Sequence, residues 1–346
     1  MEDSRRLLSM QKNGMMITQQ ELAKKLGVSQ QAVSFALNGT GTLKEATRDR
    51  ILAEAARLGY RRSAAARAMQ TGKTGNIGLL SYGHAKSRLP QGLLSGLSTV
   101  LDREDHSLSL VNIYPEKFTD PEAVPLVFRE HRVDGCVVLL DEAREGRLTE
   151  LLDRHSMPAI WVNRRQSKNA VYPDDVHAGR KAVELLVARG HRRIIYAGPT
   201  ANTGHYSRHD RYAGYLAGMT AAGLLPLPVA PPDSEKATPA QCAAALRAAP
   251  RPTAVVCYGK WDADNMIMEA IRLGVSVPQD LSILLIGEPG SQFGDFVYAL
   301  LRVPMYYVGK HVVDLLQQRI DQKNADVPSV AVQGSELDDG QTLRTF

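Results

Sequence analysis

The feature that most constrains the fold is a run of helix start and stop signals between residues 17 and 40. Thr18 and Glu21 have the spacing of a capping box, in which a Thr hydroxyl caps the helix and Glu reaches back. Gly27 permits the left-handed turn that ends this helix, and Ser29 can cap a second one. We therefore predict a helix to about Lys25, a tight turn, and a helix over 30–37.

A third helix is predicted over 44–58, before Gly59, and small Ala23 stands where two helices must cross closely. A short helix, a Gly turn, a capped second helix and a packing third helix form a helix-turn-helix, whose second helix enters the DNA major groove. A three-helix bundle without a DNA role is the alternative interpretation.

The charge distribution favours DNA binding. Residues 1–74 carry 13 Lys and Arg against 6 Asp and Glu, whereas the rest of the chain carries 29 against 31. Basic character concentrated in one short segment is typical of a surface that binds a polyanion, although a solvated basic tail has the same composition.

The predicted DNA contacts divide by chemistry. Gln can pair with the edge of adenine, so side chains at the start of the second helix can discriminate bases, whereas the other polar groups suit phosphates. The predicted base-reading residues are Gln30, Gln31 and Ser34, and the remaining predicted contacts are Thr18, Ser29, Asn38, Lys44 and Arg48.

The residue pattern of this segment resembles the headpiece of the lactose-repressor/galactose-repressor family. The likeness rests on the order and spacing Thr18-x-x-Glu-Leu-Ala-x-x-Leu-Gly-Val-Ser-x-x-Ala-Val-Ser-x-x-Leu-Asn38 and continues through 47–51 and 58–60. It then covers nearly the whole chain except roughly the first sixteen residues. The resemblance implies a hinge at 63–69 that folds on DNA, with Arg67 as a contact and Met69 as an apolar wedge in the minor groove.

The hinge is too short to be a stable isolated helix, so we expect it to order only when something packs against it. Two residues depart from the family pattern: Arg62 replaces the usual Pro before the hinge, and the wedge is Met rather than Leu. A plain connector helix is the alternative.

From residue 76 onward, strands and helices alternate, which predicts parallel sheets with helices on both faces. Strands are predicted at 77–80, 107–112, 135–140, 159–162, 193–197, 254–257 and 282–286, and helices at 91–101, 121–130, 177–189, 211–222 and 262–273. The fold class is α/β, with a helical headpiece and hinge before a core of parallel sheets. Ligands of such folds bind at the carboxyl ends of the strands.

The resemblance extends to this core through Asp174-Asp-Val-x-Ala-Gly, Gly190-His-Arg-Arg-Ile and Arg211-Tyr-Ala-Gly-Tyr. It implies a two-lobed, periplasmic-binding-protein-like fold with crossings near 174 and 302. The predicted organisation is an N-terminal extension (1–16), a headpiece (17–62), a hinge and linker (63–74) and a core (75–346). Lobe one is 76–173 plus 303–328, and lobe two is 174–302 plus 329–346.

The resemblance also implies an effector site in the cleft between the lobes. Arg211 matches the family's ligand-binding arginine, although an ion pair near the lobe interface is an alternative role. Several acidic and amide positions differ from the family: Gly259-Lys260 replaces Asn-Asp, Gly287-Glu288 replaces Asp-Asp, Val303 replaces Gln and Asn163 replaces Asp. The expected effector-binding residues are Tyr82, Asn163, Arg211, Lys260 and Glu288. Because Lys260 replaces an acid, we expect a sugar, a sugar acid or a phosphate, with a preference for anions.

Other functional classes have little support in the sequence. There is no apolar run near twenty residues, no signal-peptide pattern and no CxxC pair among three cysteines, so we expect a cytoplasmic protein without membrane association. Common catalytic motifs do not occur, so an enzyme is not expected, and neither is a cofactor. His205 and His209 have helical spacing, but they are placed in a loop without a third ligand, so no metal is expected.

These observations predict a homodimeric repressor that binds a pseudo-palindromic operator, with a small-molecule effector controlling operator affinity, as in the regulation of carbohydrate metabolism. Coupling of about 1–3 kcal/mol changes operator affinity roughly 5–150-fold. Whether the effector releases the operator or is required for binding is left open. A ligand-free architectural DNA binder is the other interpretation, since the departures in the cleft are also those of a degenerate site.

Overall fold

The computed structural model describes residues 17–61, 68, 71–82, 89–114, 126–140, 146–201, 204–334 and 336–344. The chain divides into two compact units, Met1–Thr74 and Gly75–Phe346. The predicted extension 1–16 and the hinge residues Arg67 and Met69 lie outside the described residues. Across the described ranges, the model contains no helix with the length and apolarity that a membrane crossing requires.

Three helices form the described part of the first unit: α1 (Gln19–Leu26), α2 (Gln30–Asn38) and α3 (Glu45–Arg57). The capping box and the left-handed Gly27, with φ of 64°, are present as predicted. Leu22, Val33 and Ile51 are each 0% exposed and form the centre of a small core. The predicted helix-turn-helix fold is therefore confirmed.

The second unit has the predicted strand–helix alternation. Its elements are β1 (Asn76–Tyr82), α4 (Gln91–Arg103), β2 (Ser107–Ile113), α5 (Leu126–Arg129), β3 (Gly135–Leu139), α6 (Gly146–Arg154), β4 (Ala159–Val162), β5 (Ala170–Pro173), α7 (Asp175–Ala188), β6 (Ile194–Ala197), α8 (Tyr206–Ala221), β7 (Leu227–Pro228), α9 (Pro239–Arg247), β8 (Ala254–Cys257), α10 (Lys260–Arg272), β9 (Ser282–Gly287), β10 (Gln292–Phe293), β11 (Phe296–Val297), β12 (Ala299–Arg302), α11 (Met305–Asp321), β13 (Val330–Val332) and β14 (Leu337–Asp338).

Two six-stranded sheets form the cores of two lobes. The first sheet has the order β13-β5-β4-β3-β1-β2 and is parallel throughout. The second has the order β14-β12-β9-β8-β6-β7 and is parallel except for the β12–β14 pair. Strands such as β8 are buried at every residue, which is why their sequences are continuous apolar runs.

The chain passes between the lobes three times, after β5, after β12 and between β13 and β14. The crossings lie side by side: the Asp174 N–H donates to the Val332 carbonyl (2.8 Å), and the Arg302 N–H donates to the Glu336 carbonyl (2.9 Å). The resemblance implied two crossings, near 174 and 302.

The third crossing differs from the prediction, which assigned all of 329–346 to lobe two. Val330 pairs with Val171 in the first sheet, and Val332 is buried there, so lobe one extends through β13. A three-residue strand has too little periodicity to reveal which sheet it joins, and only the tertiary packing decides.

Candidate DNA-binding helix and ligand cleft

The start of α2 presents the predicted base-reading groups to solvent. Gln30 and Gln31 are exposed and make no side-chain hydrogen bond to another described residue. Ser34, one turn later, is half-buried, and its Oγ accepts a hydrogen bond from Nδ2 of Asn38 at 3.1 Å. The side-chain amides of Gln30 and Gln31 are thus available to a partner, and the hydrogen-bonded pair Ser34 and Asn38 follows them along α2.

The hydroxyls predicted to contact phosphates hold the helix starts. Thr18 Oγ1 accepts from the Glu21 N–H at 3.2 Å, and Ser29 Oγ accepts from the Ala32 N–H at 3.1 Å. Lys44 precedes α3 and is exposed. Arg48 is half-buried, and its Nε is buried without a hydrogen-bond partner among the described residues.

Other basic residues of the first unit are engaged within it. Glu54 lies 2.7 Å from Arg57 and 3.2 Å from Lys25, so it ties α3 to α1. The hydrogen bonds from Arg57 and Lys25 outweigh burial and lower the pKa of Glu54 to about 2. Arg50 donates to the Leu26 carbonyl at 3.2 Å. The sequence analysis did not separate these structural cations from those available to DNA.

A cavity of about 340 Å³ lies between the lobes. It brings together four of the five predicted effector-binding residues, namely Asn163, Arg211, Lys260 and Glu288. Tyr82 ends β1 and is not among the described residues that line it. Pro90, Asn163 and Met305 contribute from lobe one, and the ends of β8 and β9 contribute from lobe two.

Arg211 is held by a nearly buried carboxylate. Its Nε donates to Asp175 Oδ1 at 2.6 Å, and its Nη1 donates to the carbonyls of Tyr258 and Ile286 at 2.7 and 3.3 Å. Burial is the largest single effect and opposes the charge of Arg211, but Asp175, Tyr258 and Tyr196 together outweigh it and raise the Arg211 pKa above its usual value. The remaining nitrogen, Nη2, donates to no described residue and is the part of the guanidinium left for a ligand.

Lys260 is also paired. Its Nζ lies 2.6 Å from Asp264 Oδ2 and 2.9 Å from Oδ1, one turn along α10. From the sequence, we expected Lys260 and Arg211 to make the cleft attractive to anions. Because each cation has its own carboxylate, that electrostatic argument loses its basis.

Polar contacts that were not predicted from the sequence connect the lobes at the cleft. His205 Nε2 donates to the Asn163 carbonyl of lobe one at 2.9 Å, and Nδ1 lies 2.8 Å from Ser207 Oγ. Arg165 of lobe one pairs with Asp210 of α8 at 2.7 Å. The predicted loop around His205 and His209 is wrong: His205 caps α8 and His209 lies within it. The helix starts at Tyr206, five residues before the predicted start. This start was missed because its cap is a His rather than the usual Ser, Thr, Asp or Asn.

One buried acid near the cleft was missed. Asp262, in the first turn of α10, is 4% exposed, and burial raises its pKa to about 7. Its Oδ1 has no hydrogen-bond partner among the described residues. Nothing in the local sequence distinguishes it from Asp264, which is half-buried and paired with Lys260. The described residues contain no cluster of three His, Cys, Asp or Glu side chains able to hold a metal.

Comparison with known families decides the class of protein. Residues 18–63 match the family of bacterial regulatory proteins called lacI, and residues 183–343 match the periplasmic binding protein-like domain. The chain belongs to the LacI family of transcriptional regulators. This LacI-family protein is accordingly a DNA-binding regulator with an effector-binding core, and not an enzyme.

Individual relatives are similar over almost their whole length. The HTH-type transcriptional repressor PurR of Vibrio campbellii is 27% identical over 328 residues, which cover 89% of this chain and 93% of that protein. PurR of Escherichia coli O139:H28 is 28% identical over 330 residues, covering 92% and 94%. The lac repressor dimer bound to operator and the anti-inducer ONPF has the same fold, with a TM-score of 0.68, 19% identity and coverage of 95% and 100%. A LacI-family regulator from Mycobacterium smegmatis aligns with a TM-score of 0.57 at 25% identity, covering 78% and 99%.

Proposed function

We propose that this LacI-family regulator is a repressor that binds a pseudo-palindromic operator as a homodimer, with one headpiece on each half-site. The observation that carries the proposal is the exposed, uncommitted pair Gln30 and Gln31 at the start of a capped helix. The relatives named as repressors and the lac repressor dimer bound to operator give the proposal its context.

Lys44 and Arg48 are proposed to contact phosphates, together with the helix-start residues Thr18 and Ser29 and with Asn38. Arg67 and Met69 are proposed to complete the interface, Met69 as the minor-groove wedge. Contacts to phosphate strengthen binding at every sequence, whereas contacts to bases create preference. The two groups of residues therefore differ in what their loss does.

The test is a selection of preferred sites from random DNA with the full chain, followed by mobility shifts. Gln31→Ala should relax preference at one base position per half-site, because an Ala cannot pair with a base edge. Gln20→Ala removes the same side chain from an exposed position on α1 and serves as the matched control. Met69→Gly should weaken specific binding and leave salt-sensitive, non-specific binding largely intact.

If Gln31→Ala and Met69→Gly leave the affinity and the sequence preference unchanged, the assignment of DNA contacts is wrong. If Gln20→Ala relaxes the preference as much as Gln31→Ala does, α2 is not the reading helix.

We also propose that a sugar-like small molecule binds in the cleft and controls operator affinity. Asn163, Arg211 and Glu288 converge on one cavity of about 340 Å³, a size that suits a small ligand. The transcriptional regulator CelR, in complex with cellobiose, shares the fold at 20% identity and a TM-score of 0.59. Closure of the lobes on the ligand would alter the arrangement of the two subunits and of their hinges.

Mobility shifts with and without candidate ligands separate this proposal from a ligand-free architectural DNA binder. A ligand that binds the chain and changes operator affinity at least five-fold supports an allosteric regulator. Ligands that bind and leave operator affinity unchanged would favour the architectural role.

A further inference from the structure

The charges that line the cleft are unequally compensated. Arg211 is paired with Asp175, and Lys260 is paired with Asp264. Both ring nitrogens of His205 already have partners, Ser207 at Nδ1 and the Asn163 carbonyl at Nε2. The carboxylate of Glu288, by contrast, makes no hydrogen bond or ion pair with any other described residue. Among the described lining residues it is the uncompensated charge.

Glu288 follows β9 and lies at the junction of two cavities. The smaller cavity holds Arg211, and a larger one of about 700 Å³ lies on its other side. Glu288, Val303 and Met305 line both. A ligand seated against Arg211 can therefore reach Glu288 and extend past it.

Among the described residues that line the larger cavity, no Arg or Lys is left to compensate Glu288, and His311 makes no ion pair with it. Arg302 lines this cavity, but its guanidinium lies 2.5 Å from Asp338 and 3.0 Å from Glu336. Tyr306 and Tyr307 form an aromatic corner there, with ring centroids 5.3 Å apart. The space around Glu288 is thus acidic and partly aromatic.

A half-buried carboxylate without a partner is costly, because it has lost part of its hydration without gaining a hydrogen-bond donor from the described residues. Burial raises the pKa of Glu288, which is the titration signature of that cost. A ligand cation placed on the carboxylate removes the cost and adds a charge-assisted hydrogen bond. At the other end of the ligand, Arg211 Nη2 can donate to a hydroxyl oxygen.

We propose that the effector carries a protonated amine that binds Glu288, as in an amino sugar or an amine-bearing polyol, with its hydroxyls toward Arg211. The proposal rests on the proposed role of the cleft as the effector site. It replaces the anionic ligand expected from the sequence by a cationic one.

The test is isothermal titration calorimetry on the full chain with pairs of sugars that differ in one group. The pairs are glucose and glucosamine, galactose and galactosamine, and cellobiose and its diamino counterpart, with gluconate and glucose 6-phosphate as acids. At least one amine should bind about ten-fold or more tighter than its hydroxyl partner, since a hydrogen bond to a charged group supports a difference of that size.

Glu288→Gln keeps the shape and removes the charge, so it should bring the amine-to-hydroxyl affinity ratio close to one. Glu288→Asp keeps the charge and should retain a preference for the amine. Glu235→Gln makes the same chemical change at an exposed position that lines neither cavity, and it should leave the ratio unchanged.

The proposal is overturned if no amine binds, if a hydroxyl or acid partner binds as tightly, or if Glu288→Gln leaves the ratio unchanged. Operator mobility shifts on the same samples keep this result distinct from the proposed function. If a neutral or acidic ligand controls operator binding, the amine proposal is wrong and the proposed role as a ligand-controlled regulator stands. If an amine binds but the chain binds no operator, the proposed role as a DNA-binding regulator is wrong and the amine proposal stands.

Discussion

The ion pair between Asp175 and Arg211 permits a sharp test of how the cleft is built. Asp175 is 1% exposed, the Arg211 side chain is 11% exposed, and the pair is joined at 2.6 Å. At an effective dielectric constant near 20, two unit charges at that separation attract by about 6 kcal/mol. Desolvation offsets much of this attraction, so the net value of the pair is smaller than the attraction itself.

Asp175→Asn preserves the shape and leaves Arg211 as an uncompensated, largely buried cation. Removing one partner of a buried pair costs about 3–5 kcal/mol. We expect the lower end of that range, because Nη1 of Arg211 retains its bonds to two backbone carbonyls. Effector affinity should fall as well, since Asp175 fixes the orientation of the guanidinium.

The double variant Asp175→Asn/Arg211→Met gives the decisive comparison. It contains no unpaired buried charge, so it should be more stable than Asp175→Asn alone, although it has lost both charged groups. Urea unfolding followed by tryptophan fluorescence measures this difference. Both tryptophans, Trp161 and Trp261, lie in the second unit, so the signal reports on the core rather than the headpiece.

Asp314→Asn is a matched control, because Asp314 is an exposed residue of α11. It should change the free energy of unfolding by less than about 0.5 kcal/mol. The reasoning is refuted if Asp175→Asn costs less than about 1 kcal/mol, or if the double variant is no more stable than the single one.

Three further predictions concern other parts of the molecule. Gly179→Ala would place a Cβ 2.1 Å from a backbone carbonyl oxygen of α8, so urea unfolding should show that the free energy of unfolding falls by about 3 kcal/mol. Gly146→Ala, with open space around it, should be neutral or slightly stabilising. Equal effects of the two substitutions would contradict the close packing of α7 on α8. The pKa of Asp262 in the folded protein, about 7, lies above its value in the unfolded chain, so its contribution to stability is present at low pH and is lost as pH rises toward 7. Asp262→Asn should therefore stabilise the core by about 3 kcal/mol at pH 8 and hardly at all near pH 4. A difference in the free energy of unfolding that does not depend on pH would argue against the raised pKa of Asp262. Gly41→Ala would bring a Cβ to 2.4 Å from the Phe35 ring, at a residue whose φ of +68° disfavours any side chain. Amide hydrogen exchange in α2 should therefore show a loss of protection worth about 1–2 kcal/mol. Unchanged exchange would mean that the turn adapts freely to the added methyl group.

Local chemistry made the headpiece predictable from sequence. The cap at Thr18, the left-handed Gly27 and the cap at Ser29 act over three or four residues, so each can be identified without knowing the rest of the fold. The alternation of apolar runs with helical patterns likewise identified most strands of both sheets. Buried parallel strands carry their signal in every residue.

The charge pairing in the cleft could not be predicted from the sequence. Four of the five expected residues meet in one cavity, since the carboxyl ends of parallel strands converge. The expected preference for anions had no structural basis, because the partners of the two cations are ordinary acids in the sequence. Asp175 lies 36 residues before Arg211, and Asp264 is one of several acids near Lys260.

The sequence by itself thus determined the helix-turn-helix and the α/β class of the core. The tertiary structure decided that β13 joins the first sheet and that Arg211 and Lys260 each pair with a carboxylate. It also decided that the Glu288 side chain has no hydrogen-bond or ion-pair partner among the described residues. The physical reason is the range of the forces involved. Caps and periodicity act along the chain, whereas the pairing of charges depends on distances between segments that only the folded chain brings together.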